Sequence, residues 1–160
     1  MRAMNLAGCF VSTLVALVLA GLMSPRSVAD TERPIEVKAT AAVRQDHELV
    51  PADRVVPGDE VFYTLEIRNT GSTPLPPPTV DFAIPEHMRY IANSAVGAGA
   101  EVSYSIDGGR TFDRPENLMV AGSGGLHTAT VSEYTHIRWR LKHVLKSKAM
   151  ALARFRAVVK

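Results

Sequence analysis

Five histidines, one serine in a glycine-rich loop and a cluster of basic residues toward the C-terminal end are the side chains whose types could support chemistry here. Imidazole metal ligands usually come as a local pair, two apart on a strand face or four apart on a helix. His47, His87, His127, His136 and His143 show neither spacing. Only a distant pair such as His127 and His136, converging across a hairpin, could share an ion. Ser123, within Gly122-Ser123-Gly124-Gly125, would need a base and an orienting acid in reach to act as a nucleophile. The acids, Asp59-Glu60 among them, show no Asp-x-Asp-x-Asp calcium loop and read as turn caps. These patterns predict no catalytic, cofactor-binding or metal-binding residue, and a non-enzymatic protein.

Charge placement says more than its sum. The chain has 18 basic and 16 acidic residues, but residues 134–160 hold 8 basic and no acidic ones. Arg138, Arg140 and Lys142 alternate with Ile137, Trp139 and Leu141, so if the apolar set faces a core the basic set faces out together. Arg154 and Arg156 alternate with Ala153, Phe155 and Ala157, and would join that exposed face if the last strand pairs beside the first. Like charges on one face repel unless acidic neighbours or an anionic ligand meet them. These five residues are therefore the candidate surface for an anionic envelope component or an acidic protein. The competing reading is a pair of strands set against acidic neighbours, or an edge kept soluble by its charges. A nucleic-acid partner is not expected, because the mature chain would carry no net charge.

The mature chain is defined by the N-terminal segment. Arg2 is followed by 23 uncharged residues, rich in Leu, Val and Ala and ending in Ser24-Pro25, and then by Arg26 and the small-residue site Ser27-Val28-Ala29. The pattern predicts a secretory signal peptide over residues 1–29, with a mature domain over 30–160 and no membrane span after cleavage. The protein would then be periplasmic, surface-attached or secreted. The apolar run is also long enough for an uncleaved anchor. Leu6-Ala7-Gly8-Cys9 resembles a lipobox, but the apolar run follows it instead of preceding it. Cys9 is the single cysteine. A mature domain without it has no disulfide and must be held by its core, which a chain of this length is large enough to form.

The elements positioning the basic residues read as strands. Apolar residues alternate over short runs bounded by Gly, Pro, Asn and Asp, the period-2 pattern of half-buried strands. Ile35, Val37 and Ala39 open the series on one face. Pro57-Gly58-Asp59 then turns into the clearest strand, where Val61, Tyr63, Leu65 and Ile67 point one way, closed by Asn69-Thr70-Gly71-Ser72. Pro74 and Pro76-Pro77-Pro78 cannot donate to a ladder and should lie at an edge or cross between sheets. Strands follow at Val80–Ile84 and Val102–Ile106. Residues 113–130 are the least regular part, with Gly122–Gly125 as a solvated loop. Strands return at Ile137–Leu141 and Ala149–Val159. About seven strands imply an all-β, two-sheet sandwich with Greek-key connections, whose core includes Val61, Tyr63, Leu65, Ile67, Phe82, Ile84, Trp139 and Phe155.

With the strands placed, the run Val56-Pro57-Gly58-Asp59-Glu60-Val61-Phe62-Tyr63-Thr64-Leu65-Glu66-Ile67-Arg68-Asn69-Thr70-Gly71 resembles the opening of the DUF11 domain, a repeat of prokaryotic surface proteins. Ile84-Pro85-Glu86-His87-Met88-Arg89-Tyr90, Tyr134–Trp139 and Ala153–Val159 are similar to later parts of that domain. The proline run after Thr73 and Lys146-Ser147-Lys148 before the last strand depart from its pattern. The resemblance implies an immunoglobulin-like sandwich serving adhesion, scaffolding or accessory binding at the cell envelope. Two other uses of such a sandwich are a periplasmic chaperone or subunit partner acting by strand addition, and a carbohydrate-binding module, for which the sequence shows few aromatics to form a platform. Ser105-Ile106-Asp107-Gly108-Gly109-Arg110-Thr111-Phe112 resembles the Asp-box of sialidase-type propellers, where the aspartate ties a hairpin turn together. A propeller needs several copies and this chain has one, so a structural brace is expected. The loop around Ser123 resembles the nucleophile loop of chymotrypsin-like proteases only in its glycines, with Gly122 where that family has an acid.

Overall fold

The computed structural model describes residues 34–160. The signal peptide expected over residues 1–29, its cleavage site and the lipobox-like run all lie outside the described residues. What is described is an all-β sandwich. Eleven strands form: β1 (Ile35–Gln45), β2 (Glu48–Pro51), β3 (Glu60–Asn69), β4 (Thr79–Ala83), β5 (Met88–Tyr90), β6 (Val96–Gly97), β7 (Ala100–Ser105), β8 (Met119–Gly122), β9 (Gly125–Thr128), β10 (His136–Leu141) and β11 (Met150–Val159). The excess over seven comes from strands of two to four residues, too short to show a repeat of alternation in the sequence.

One sheet runs β2-β1-β3-β11-β5, with β6 also on β11; the other runs β4-β10-β7, and β8-β9 is a separate hairpin. All the pairings are antiparallel, and most neighbours in space are far apart in sequence, as Greek-key connections require. The proline-rich segment after Asn69 crosses between the sheets, held midway by reciprocal backbone bonds between Leu75 and Leu145.

Alternation explains the core. Val61, Leu65 and Ile67 on β3, Ala153, Phe155 and Ala157 on β11, and Ile137, Trp139 and Leu141 on β10 are buried, while the residues between them turn outward. Tyr63, Phe82 and Ile84 are half-buried against the same core. Tyr63 stacks on Phe155 at 4.6 Å between ring centroids, and Trp139 of the opposite sheet lies 6.1 Å from Phe155. All eight expected core residues thus belong to one cluster. Val37 and Ala39 share the inward parity of Val43 but are exposed. The facing sheet has only three strands across and leaves this flank of the wider sheet uncovered.

Three turns hold the strands in place, the first two of them through side chains. Asp59 accepts from the Val56 N–H at 2.9 Å at the entry to β3. Asn69, fully buried at the end of β3, donates through Nδ2 to the carbonyls of Thr73 (2.8 Å), Leu145 (3.0 Å) and Lys146 (3.1 Å), and its Oδ1 accepts from the Gly71 N–H (2.9 Å). Lys146-Ser147-Lys148 still makes the turn before β11, with Lys148 at φ 58° and the Ala149 N–H donating to the Lys146 carbonyl at 3.0 Å. Lys148 thus takes a left-handed conformation that glycine adopts at lower cost.

Candidate functional site

The five basic residues do not form one surface. β10 lies in the three-stranded sheet and β11 in the six-stranded one, so the last strand pairs with β3, β5 and β6 and not with β10. The expectation that Arg154 and Arg156 share a face with Arg138, Arg140 and Lys142 is therefore corrected: each set is on the outer face of its own sheet, on opposite sides of the sandwich. The physical reason is core packing. Phe155 and Trp139 meet across the interior with their rings tilted by 40°, which places their strands in opposing layers.

On the three-stranded sheet, Arg138 is flanked by Asp81 of β4 and Ser103 of β7, and Arg140 by Thr79 and Glu101. Arg138 donates through Nε and Nη2 to the two Asp81 carboxylate oxygens at 2.6 and 2.7 Å. Its guanidinium also lies 3.7 Å from the centroid of the Phe112 ring, a stacked cation–π contact. Arg138 is held on both sides and acts as a brace. Glu101 is shared: Arg114 and Arg140 each reach it at 3.2 Å. The Arg114 hydrogen bond, the Arg140 charge and, more weakly, Lys142 hold its carboxyl below the usual range. Four cations, Arg114, Arg138, Arg140 and Lys142, thus meet three carboxylates, Asp81, Glu101 and Asp113. This face keeps a positive surplus, centred on Arg140 and Lys142, both exposed.

On the other side, Arg156 donates to Glu60 at 2.7 Å, and Arg154 stands beside Thr64 of β3. With Leu49, Phe62 and Val96 they border a shallow groove of about 270 Å³. Leu49 and Val96 are exposed, and Arg44 lies 5.2 Å from the Phe62 ring centroid. Arg138, Arg140 and Arg156 therefore sit against acidic neighbours, whereas Lys142 and Arg154 are in no ion pair among the described residues.

The turn at Asp107 is a brace. Asp107 accepts from the Ser105 hydroxyl (2.7 Å), the Arg110 N–H (3.0 Å), and the Thr111 N–H (3.0 Å) and hydroxyl (2.6 Å). These donors, Thr111 first, hold its carboxyl far below the usual range. The turn in consequence delivers Phe112 onto Arg138.

The solvated loop expected around Ser123 is the exposed turn at the tip of the β8-β9 hairpin, with Gly122 opposite Gly125. His127 on β9 lies 3.4 Å from Glu133, whereas His136 has its Nδ1 3.2 Å from the Thr135 hydroxyl. Neither histidine hydrogen-bonds Ser123, and the two do not converge on one another. Among the described residues no group of three His, Cys, Asp or Glu side chains is placed to hold a metal.

A cleft of about 440 Å³ opens at one end of the sandwich, between Ile84–Arg89, Glu133–His136 and Lys160. Tyr90, Tyr104 and Tyr134 pack behind it; the Tyr90 and Tyr104 hydroxyls are 2.9 Å apart, and Tyr104 stacks on Tyr134 at 4.7 Å. Burial, and for Tyr104 also the Tyr90 hydrogen bond, pushes the Tyr104 and Tyr134 phenols up. They stay protonated at neutral pH and serve as packing and hydrogen-bond groups. Nothing local in the sequence announces this cluster, because its three tyrosines come from three separate segments.

No protein-family model, no curated protein and no solved structure matches this chain.

Proposed function

We propose that this is a non-enzymatic, exported β-sandwich module of the cell envelope that binds an anionic partner through the outer face of its three-stranded sheet. The observation that carries this is the outward row Arg138, Arg140 and Lys142 against the two carboxylates Asp81 and Glu101, with Arg140 and Lys142 the exposed members and Lys142 in no ion pair among the described residues. A flat, rigid, solvent-facing row of long cationic side chains suits an acidic protein surface or an anionic envelope polymer. Kinship with DUF11 domains belongs to the same proposal, supported by the turn residues Pro57-Gly58-Asp59 and Asn69-Thr70-Gly71 and by the alternating core of β3. Export is supported by the sequence of residues 1–29.

The test uses Arg140→Ser with Lys142→Ser, leaving Arg138 in place because its contacts with Asp81 and Phe112 brace the fold. Retention of the folded protein on envelope fractions is measured at low and at physiological salt, where exposed charges are screened within about 8 Å. The proposal expects retention to fall with salt and to fall in the double variant. Equal retention of both proteins at low salt would show that the row serves solubility alone.

A further inference from the structure

The flank of the wider sheet that the facing sheet leaves uncovered also has an open edge. β2 pairs with β1 only from Ala42 to Gln45, extended by one backbone bond from the Ala52 N–H to the Ala41 carbonyl at 3.0 Å. Over Ile35–Ala39, nothing among the described residues pairs with the side of β1 that faces away from β3. The Thr70 N–H donates to the Pro34 carbonyl at 2.8 Å, which puts the even-numbered residues of β1 in register to bond β3. Strand geometry then points the N–H and C=O groups of Ile35, Val37 and Ala39 outward. Natural proteins normally cover or blunt such an edge. Here Val37, 45% exposed, sits at its centre.

We propose that this edge pairs with the same edge of a second copy of the chain, antiparallel, about a two-fold axis through Val37. In that register Val37 meets Val37 and Ile35 meets Ala39, each pair exchanging backbone bonds and burying apolar side chains on the inward face. On the outward face Glu36 meets Lys38 of the second copy, and Lys38 meets its Glu36. The neighbouring β3 extends the pattern, because Glu36 lies beside Arg68 and Lys38 beside Glu66 within each chain. Two rows of four charges with alternating sign then cross the joined sheets. Sliding the register by two residues either way sets Glu36 against Glu36 or Lys38 against Lys38, which is destabilising in an antiparallel pair. Slippage by one residue would turn the apolar set outward. The window is also bounded, since Ala52 already occupies the position opposite Ala41. A two-fold, self-complementary contact of this kind closes as a dimer and does not propagate. Its short ladder makes the dimer concentration-dependent, because stable interfaces bury roughly 1,200–2,000 Å². The inference is independent of the electrostatic reading of the other sheet.

Sedimentation of the purified chain over a range of concentrations tests it. The expected result is a reversible monomer–dimer equilibrium, abolished by Val37→Pro. Proline removes an outward N–H that β3 does not use, and edge positions of this kind accept it. Glu36→Lys alone and Lys38→Glu alone should each weaken dimerisation about tenfold by placing like charges opposite. Mixing the two variants should restore it, since every basic side chain that one variant carries at these two positions then faces an acidic one on the other. A chain that stays monomeric to millimolar concentration, a dimer unaffected by Val37→Pro, or a mixture no tighter than its components overturns the proposal.

Discussion

Asn69 ties three chain segments with a single side chain, because its amide donates to the carbonyls of Thr73, Leu145 and Lys146 while its oxygen holds the Gly71 N–H. The bond to Leu145 is buried, and although the Leu145 and Lys146 carbonyls keep backbone donors in Leu75 and Ala149, four hydrogen bonds, including the one held by the Gly71 N–H, go with this one side chain. Asn69→Ala should therefore cost about 2–3 kcal/mol, more than loss of any one surface ion pair, read as a lowered urea midpoint with unchanged slope. The residue is legible in sequence as a turn-former, but its burial is not, since nothing local reveals that the 145–146 segment returns to it. Asp107 is the opposite case, because its whole set of donors lies within six residues and the motif itself announces the brace. Its folded pKa lies below the unfolded value near 3.9, so its contribution is complete above about pH 4 and is lost as pH falls further through the folded value. Asp107→Asn should lower the unfolding midpoint at pH 7, and the gap between variant and parent should narrow at pH 3.

Among the elements, β3 and the β8-β9 hairpin mark the two extremes. β3 is bonded along its length by β1 on one side and β11 on the other, and its inward side chains include Leu65 and Ile67 at no measurable exposure. The hairpin pairs only with itself and is exposed apart from half-buried Val120. Backbone bonds buried under packed side chains open only with larger-scale unfolding, whereas exposed ones open locally. Hydrogen exchange followed by mass spectrometry should show β3 and β11 slowest, and Met119–Thr128 fast. Equal protection of the hairpin would mean that something covers it. The same contrast governed what alternation could disclose. β3 has one wet and one dry face and reads clearly, while β8 and β9 have no dry face, so their residues carry no period and the segment reads as a loop.

For the whole molecule, the division of basic residues between opposite faces makes the two sets separable. Arg154→Ser with Arg156→Ser should leave envelope retention at the parent level, while Arg140→Ser with Lys142→Ser lowers it. A loss of similar size from both double variants would mean that diffuse charge, not the row on the three-stranded sheet, attracts the partner. Because the sites lie on different sheets and share no ion-pair partner, effects of the two double variants on stability should add.

What the sequence determined by itself is whatever depends on neighbours along the chain. The alternation of β3, β10 and β11 fixes which side chains are dry, and so the all-β class and the core from Val61 to Phe155. The prolines after Thr73 mark an edge or a crossing, and Ser105–Phe112 fixes a braced turn. Only the tertiary structure decided which strand lies beside which. Alternation specifies a face but carries no information about a partner, and both layers of a sandwich show the same period. It was the meeting of Trp139 with Phe155 across the interior that separated Arg138, Arg140 and Lys142 from Arg154 and Arg156. The shortness of β2, which pairs with β1 only from Ala42 to Gln45, left the edge of β1 open at Val37.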